Sequence, residues 1–388
     1  MKPPAIEGPL QGVRVLDLTT VIMGPVCTQI LAGYGAEVVK LEPPEGDIMR
    51  HAGAKAEPGM GAMFLHANRH KRSVCLDLKS RQGRQWIAQA LPGFDVLVHN
   101  IRPQAIARMG LDREAVQALH PGIVYAELSG YGRTGPYADR PAFDDVIQAE
   151  SGLAALFARQ MGGEPCYLPA LVADRLTGIT AAHRILAALW QRERTGQGQY
   201  LNVAMFETMA ECVLADHFGQ RSFGLDQGQT GYSRLLTPHR RPYRTADSHI
   251  AAVVYNDKHW RSFFAVIGVP GRFAADARFS SAAARAEHYD FIYGFVADTL
   301  ASRTTADWLS ILSEAGIPCA PVHAVEDLFG DAHLHATGFF QLHDRGGHPE
   351  WAASATPAIR SGLAPRLGEH NRQYLGSTAP ANEDHHGT

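Results

Sequence analysis

The stretch GVRVLDLTTVIMGPVCTQILAGYGAEVVKLE (12–42) decides the fold class of this chain. Val13–Leu18 is an apolar run of strand length, rich in residues that suit a pleated ladder. Gly24-Pro25 follows, with proline where a helix begins, because the first helical turn has no use for that N–H. A helix through Ile30 and Leu31 stops at Gly33 and Gly35, and Glu37–Glu42 resumes the strand pattern. Strand, crossover helix and strand make a βαβ unit with parallel strands.

Working outward, the pattern recurs. Val74–Leu78 reads as a strand, Ser80–Leu91 as a helix, Asp95–His99 as a strand, Asp112–His120 as a capped helix and Ile123–Leu128 as a strand. This alternation predicts an α/β fold, a Rossmann-like large domain with a mostly parallel sheet and helices on both faces. Ligands in such sheets bind beyond the strands' carboxyl ends, where strand order reverses. Asp174 opens a long helix with Ile179, Ala182, Ile185, Leu186 and Leu189 on one face, and Gln199–Ala204 is a further strand. Residues 216–242, rich in Gly, Gln, Arg and Ser, read as a linker.

A smaller α+β domain is expected over 243–329, with a strand at Ile250–Tyr255 and helices at Asp257–Ile267, His288–Ser302 and Thr305–Ala315. The Pro- and Gly-rich stretch 346–366 is expected to wrap over other elements and the tail after Ser377 to fray. The large domain is then discontinuous, 1–215 plus 330–388.

Composition narrows the function. The 388 residues are 45% hydrophobic and 19% charged, an ordinary globular balance, and a net charge of −3 supplies no field for nucleic acid or an anionic membrane. Five scattered cysteines (Cys27, Cys75, Cys166, Cys212, Cys319), no signal peptide and no long apolar run point to a soluble protein of the reducing cytoplasm. His66 and His70 lie four apart without a third ligand at suitable spacing, so no metal is expected. Arg69–Gly110 holds eight Lys/Arg against two acids, a local anion-binding candidate, with Lys79 and Asn100–Arg102 just beyond strand ends.

Gly130-Tyr131-Gly132-Arg133-Thr134-Gly135 matches GxGxxG after a strand, but the polar PYADRP that follows has no helical stripe to receive a pyrophosphate. It reads as a glycine loop able to approach a ligand closely. Asp174, an acid at a helix start, has the ordinary role of an N-cap. The same place favours the ionised carboxylate, which is also a competent nucleophile.

Seven segments then carry a resemblance over nearly the whole chain: 12–47, KRSVCLDLKS (71–80), HNIRPQAIARMGL (99–111), LSGYGRTGPYADRPAFDDV (128–146), 171–207, AGIPCAPV (315–322) and LGEH (367–370). Together they resemble the class III CoA-transferase family, which includes formyl-CoA, carnitine and dicarboxylate CoA-transferases and the α-methylacyl-CoA racemases. The resemblance implies an interlocked homodimer, coenzyme A or acyl-CoA as substrate with no permanently bound cofactor, and Asp174 as nucleophile. It places CoA contacts at Val21, Ile22, Met23, Leu76, Lys79, Asn100, Ile101, Arg108, Gly130, Tyr131, Gly132 and Arg133, with Lys79 and Arg108 as phosphate partners and loop amides of 130–135 as oxyanion donors.

The implied reaction moves CoA to a small acid, with a dicarboxylate favoured by Arg175 and by His239-Arg240-Arg241. LEPPEG lacks the basic residue that formyl-CoA transferases carry there. Racemases pair their aspartate with a histidine, whereas Phe143 occupies that place here and cannot move a proton. The alternatives to a transferase are a 2-methylacyl-CoA racemase and a non-catalytic CoA-binding protein.

Overall fold

The computed structural model describes residues 8–55, 57–346, 349–353 and 362–376. Six strands form one all-parallel sheet: β1 (Arg14–Leu18), β2 (Glu37–Glu42), β3 (Arg72–Cys75), β4 (Val96–His99), β5 (Val124–Ser129) and β6 (Gln199–Ala204). Their order is β3-β2-β1-β4-β5-β6, with β1 between β2 and β4. The chain runs outward from β1 on one side and then returns to build the other, so the switch point lies between the carboxyl ends of β1 and β4.

Helix α1 (Met23–Gly33) connects β1 to β2, and α2 (Ala62–Ala67) precedes β3. The next connections carry α3 (Arg81–Ala90), then α4 (Pro103–Arg108) and α5 (Arg113–Leu119). Ser80 and Asp112 cap α3 and α5 by accepting the N–H of Gly83 and Ala115. Between β5 and β6 come α6 (Asp144–Glu150), α7 (Leu153–Met161) and the 24-residue α8 (Val172–Thr195).

The chain divides into two compact units. The first comprises Met1–Ser151, Leu168–Glu211 and His333–Thr388, and the second Gly152–Tyr167 and Cys212–Ala332. In the first, the core joins Leu16, Val39, Val74 and Leu97 on the strands to Ile87, Leu91, Ile106 and Val116 around them. In the second, a three-stranded antiparallel sheet, Tyr243–Arg244, His249–Ala252 and Cys319–Pro321, supports helices Asp257–Val266, Tyr289–Leu300 and Thr305–Glu314. Its core is aromatic, with Trp260, Phe263, Phe264, Phe279 and Trp308 buried together. Residues 216–242 hold a 3-10 turn at Gly219–Phe223 and a short helix at Ser233–Leu236.

Several local expectations shift. The third strand is Arg72–Cys75, two residues earlier than its apolar run suggests, because its pairing partner is Val39–Glu42. On α8 the buried face is made of small residues, Ala173, Thr177, Gly178, Ala181, Ala182 and Ala188 with Ile185, whereas Ile179 is 52% exposed. Small side chains let α8 approach α1 closely: a Cβ on Gly178 would lie 2.6 Å from the Met23 carbonyl oxygen and 3.1 Å from Val26. Gly178→Ala is therefore expected to destabilise the fold by about 1–3 kcal/mol through overpacking, measured by denaturant unfolding. No helix among the described residues is long and apolar enough to cross a membrane. The expected fraying after Ser377 lies outside the described residues.

Candidate functional site

A pocket of about 260 Å³ opens at the switch point, bordered by Thr20, Val21 and Met23 after β1 and by Asn100–Gln104 after β4. Leu128–Gly130 and Arg133 reach it from β5, Ala138–Phe143 from the glycine-loop connection, Asp174 from α8 and Met205 from the end of β6. Of the sequence candidates, Val21, Met23, Asn100, Ile101, Gly130, Arg133 and Asp174 meet here. Ile22 is instead packed in a small apolar cluster with Val26 and Ala67, Leu76 belongs to the main core, and Lys79 and Arg108 are exposed outside the lining. Tyr131 and Gly132 sit in the loop without bordering the pocket.

The β1–α1 turn is held in an uncommon conformation. Val21 has φ +72°, the left-handed region that a β-branched residue rarely enters. Its N–H donates to Asp47 Oδ1 at 3.2 Å, while Asn100 clamps Thr20 through both its amide oxygen (3.0 Å) and its amide nitrogen (2.9 Å). Beneath the turn lies a buried network of charges. Lys40 bonds Asp47 Oδ2 (2.9 Å) and the Thr19 carbonyl (2.7 Å), and Lys71 bonds Asp17 (3.0 Å).

Asp17 also accepts from the hydroxyls of Thr19 and Thr28. Burial opposes its ionisation, but Lys71, Lys40 and these hydroxyls hold its carboxyl below the usual range. Burial lowers Lys71 to about 8, which still leaves it charged at neutral pH. Nearby, Arg50 grips Glu42 through two bonds of 2.7 Å. Part of the basic stretch from Arg69 therefore turns inward: Lys71 and Arg69 are both buried.

The glycine loop lies across the ends of β5 and β6 with no helix following it directly. Its Gly132 N–H donates to Glu207 Oε1 (2.8 Å), its Arg133 N–H to Asn202 Oδ1 (3.2 Å), and the Arg133 guanidinium pairs with Glu127. Two loop amides expected to face an oxyanion are thus already engaged by side chains. His99, at the end of β4, is buried and lowered to about 4 by that burial, so its neutral ring accepts the Ile101 N–H (3.3 Å) and sets the direction of the β4–α4 turn.

Asp174 is the third residue of α8, not its cap. Leu171 holds the N-cap position, and it has no side-chain acceptor. The Asp174 N–H is taken by Asp144 Oδ1 at 3.0 Å, and Asp144 is itself buried and bonded to Gln148 (2.6 Å). Only 8% of Asp174 is exposed; burial, followed by the neighbouring Asp144 charge, raises its carboxyl to about 6. Desolvation therefore outweighs the helix end that was expected to favour the charge. Asp144 was missed as a site residue, although the Asp144-Asp145 pair at a helix start was a legible sign.

A sheet of the dinucleotide-binding topology with a poised carboxylate at its switch point defines a Rossmann-type ligand-binding protein with a potential nucleophile at its centre. The family model for CoA-transferase family III matches residues 10–371. The succinyl-CoA–L-malate CoA-transferase β subunit of Chloroflexus aurantiacus is 31% identical over 379 residues, spanning 95% of this chain and 93% of its own. The succinate–glutarate CoA-transferase of Agrobacterium fabrum is 30% identical over 389 residues, 96% of each chain. The crystal structure of Rv3272 from Mycobacterium tuberculosis superposes with a TM-score of 0.80 at 28% identity, covering 95% of this chain and 99% of that one. The chain belongs to CoA-transferase family III, and it is an enzyme of that class.

Proposed function

We propose that the enzyme transfers CoA from an acyl-CoA donor to a small carboxylic acid, a dicarboxylate by preference, through covalent intermediates on Asp174. The observation that carries this reading is the buried Asp174 carboxylate bordering the pocket. With its pKa near 6 it is roughly nine-tenths ionised at pH 7, and more basic than an exposed aspartate. An Asp174 oxygen attacks the thioester carbonyl and expels CoA thiolate, giving a mixed anhydride. The thiolate attacks the aspartyl carbonyl, releasing the donor acid and leaving an aspartyl-CoA thioester. The acceptor carboxylate then attacks that thioester, and the returning thiolate takes the acceptor's acyl group and frees Asp174. Each step exchanges one acyl bond for another, so no ATP is consumed.

In this reading Val21, Met23, Asn100, Ile101 and Gly130 flank the reacting end of CoA, while Lys79 and Arg108 meet its phosphates beyond the pocket. Ile22, Leu76, Tyr131 and Gly132 support these contacts from behind. Arg133 is neutralised by Glu127, and Arg140 lies 3.7 Å from Glu150, which leaves Arg102 as the lining cation best placed to take a substrate anion. The names of the malate and glutarate enzymes support a dicarboxylic acceptor. We assign CoA binding to a large domain of 1–215 and 330–388, joined by 216–242 to a small domain of 243–329, and expect a cytoplasmic homodimer with interlocked chains. Phe143 borders the pocket where a racemase would need a second base, which argues against racemisation.

Incubation with succinyl-CoA followed by hydroxylamine, which attacks the activated aspartyl carbonyl and expels CoA or the donor acid, should leave a hydroxamate on the Asp174 side chain; an unmodified protein with every donor tried would refute covalent catalysis. The pH profile supplies a second test. Because the ionised carboxylate is the reactive form, kcat/KM should fall as pH drops through about 6. Asp144→Asn removes the like charge and keeps an oxygen for the Asp174 N–H, so the acidic limb should move to lower pH. A limb that stays in place or moves upward would contradict this assignment.

A further inference from the structure

We propose that the second compact unit holds, within its residues 212–332, a second ligand site, a pocket for a small organic polyanion lined by Trp260 and Tyr293. Two cavities, of about 300 and 440 Å³, share Arg234, Val254, Trp260, Ile292 and Tyr293 in their walls. Arg240, Arg241 and Tyr243 complete the first, and Tyr255 and Tyr289 the second. None of these residues borders the pocket at Asp174.

The charge pattern points to the ligand. Two arginines of this unit carry close acid partners: Arg278 is paired with Asp276 at 2.8 Å and Arg285 with Asp257 at 2.6 Å. Arg234, Arg240 and Arg241 have no carboxylate within ion-pair distance among the described residues. Asp257, the acid in the second cavity's wall, is already bound by Arg285.

The Arg234 guanidinium lies 5.1 Å from the Tyr255 ring centroid, a contact that leaves its donors unsatisfied by any anion. Burial pushes the Tyr243 hydroxyl up, and Arg234 and Arg240 pull against that rise, so both charges act on the cavity wall. Arg234, Arg240 and Arg241 border one cavity together with Ala251, Ala252 and Ile292, and an anion entering it would offset their like charge. Guanidinium forks match carboxylate and phosphate alike, and the tyrosine and tryptophan walls suit a flat or apolar body. The ligand class is therefore a molecule carrying two or more carboxylate or phosphate groups.

Isothermal titration calorimetry of the full-length protein, saturated with CoA, tests the site with citrate and with inorganic pyrophosphate, using acetate as the monoanion. Saturable binding at one per chain is expected for citrate, pyrophosphate or both. A response to citrate alone identifies a polycarboxylate and to pyrophosphate alone a phosphate compound. Arg234→Gln, and separately the pair Arg240→Ala and Arg241→Ala, should each weaken that binding about tenfold or more, whereas Arg102→Ala should leave it unchanged. The proposal fails if neither anion binds saturably up to about 10 mM. It also fails if binding persists at full strength in both folded variants, or if acetate binds as well as the polyanions.

Discussion

Asp174→Asn is expected to lower kcat/KM for CoA transfer by about 10⁴-fold or more, because an amide cannot form the anhydride. The substitution is nearly isosteric, and the backbone N–H bonded to Asp144 is unaffected, so CoA affinity measured by calorimetry should stay within about threefold. The same variant should be more stable. In the wild type the folded-state pKa of about 6 lies above the ordinary aspartate value of 3.8. At low pH both states are protonated. As pH rises, the unfolded chain loses its proton first, so stability falls between about 4 and 6 and remains lower at neutral pH. Replacing the acid removes this cost, up to about 3 kcal/mol for a shift of this size and less where solvent reaches the group. An inactive variant with a raised Tm at pH 7 and intact CoA binding is the expected combination. A variant that keeps its transfer rate would remove Asp174 from the chemistry.

The second large effect is expected beneath the site. Lys40 is fully buried between Asp47 and the Thr19 carbonyl, with Asp17 and Glu42 also acting on it, and these carboxylates raise it against the burial that lowers it. Lys40→Met should cost about 3–5 kcal/mol in denaturant unfolding, because it leaves buried carboxylates without their counter-ion. Asp47 also holds the Val21 N–H, so the surviving folded enzyme should show a raised KM for acyl-CoA with a smaller change in kcat. A double variant, Lys40→Met with Asp47→Leu, should recover part of the stability but not the KM, since the left-handed turn stays unheld. A loss below about 1 kcal/mol in the single variant would mean that the network is not paired as described.

Much of this architecture could be read directly from the chain. The βαβ start at 12–42 and the caps Ser80 and Asp112 follow from short-range rules, and they agree with the observed elements. What failed depends on contacts between distant segments. Lys71 counts among the cations of an anion-binding candidate until Asp17 meets it in space. Ile179 fits a helical stripe, yet the close approach of α1 selects Gly178 and the alanines as the inner face. Asp174 carries a cap's side chain, but the helix starts two residues before it, and its acidity is governed by burial and by Asp144 from another helix. Lys79 reads as lying at a strand end, but the third strand stops at Cys75, four residues before it.

The edge of the large sheet carries a consequence for how the protein is made. β3 is the outermost strand on its side, and residues 368–371 bond along its open edge. The Cys75 N–H donates to Asn371 Oδ1 at 2.8 Å, the His370 N–H to the Ser73 carbonyl at 2.9 Å, and the Gly368 N–H to Ser73 Oγ at 3.0 Å. Farther along, Trp86 Nε1 donates to the Tyr374 carbonyl, and Leu375 enters the main core. During translation these covering residues leave the ribosome about three hundred residues after the strand they protect, at a rate of roughly 5–20 residues per second. For that interval the nascent chain exposes an unpaired strand edge, the kind of surface that templates aggregation. A chain truncated before residue 367 should consequently go to inclusion bodies or bind holdase chaperones, although every residue lining the Asp174 pocket would be present.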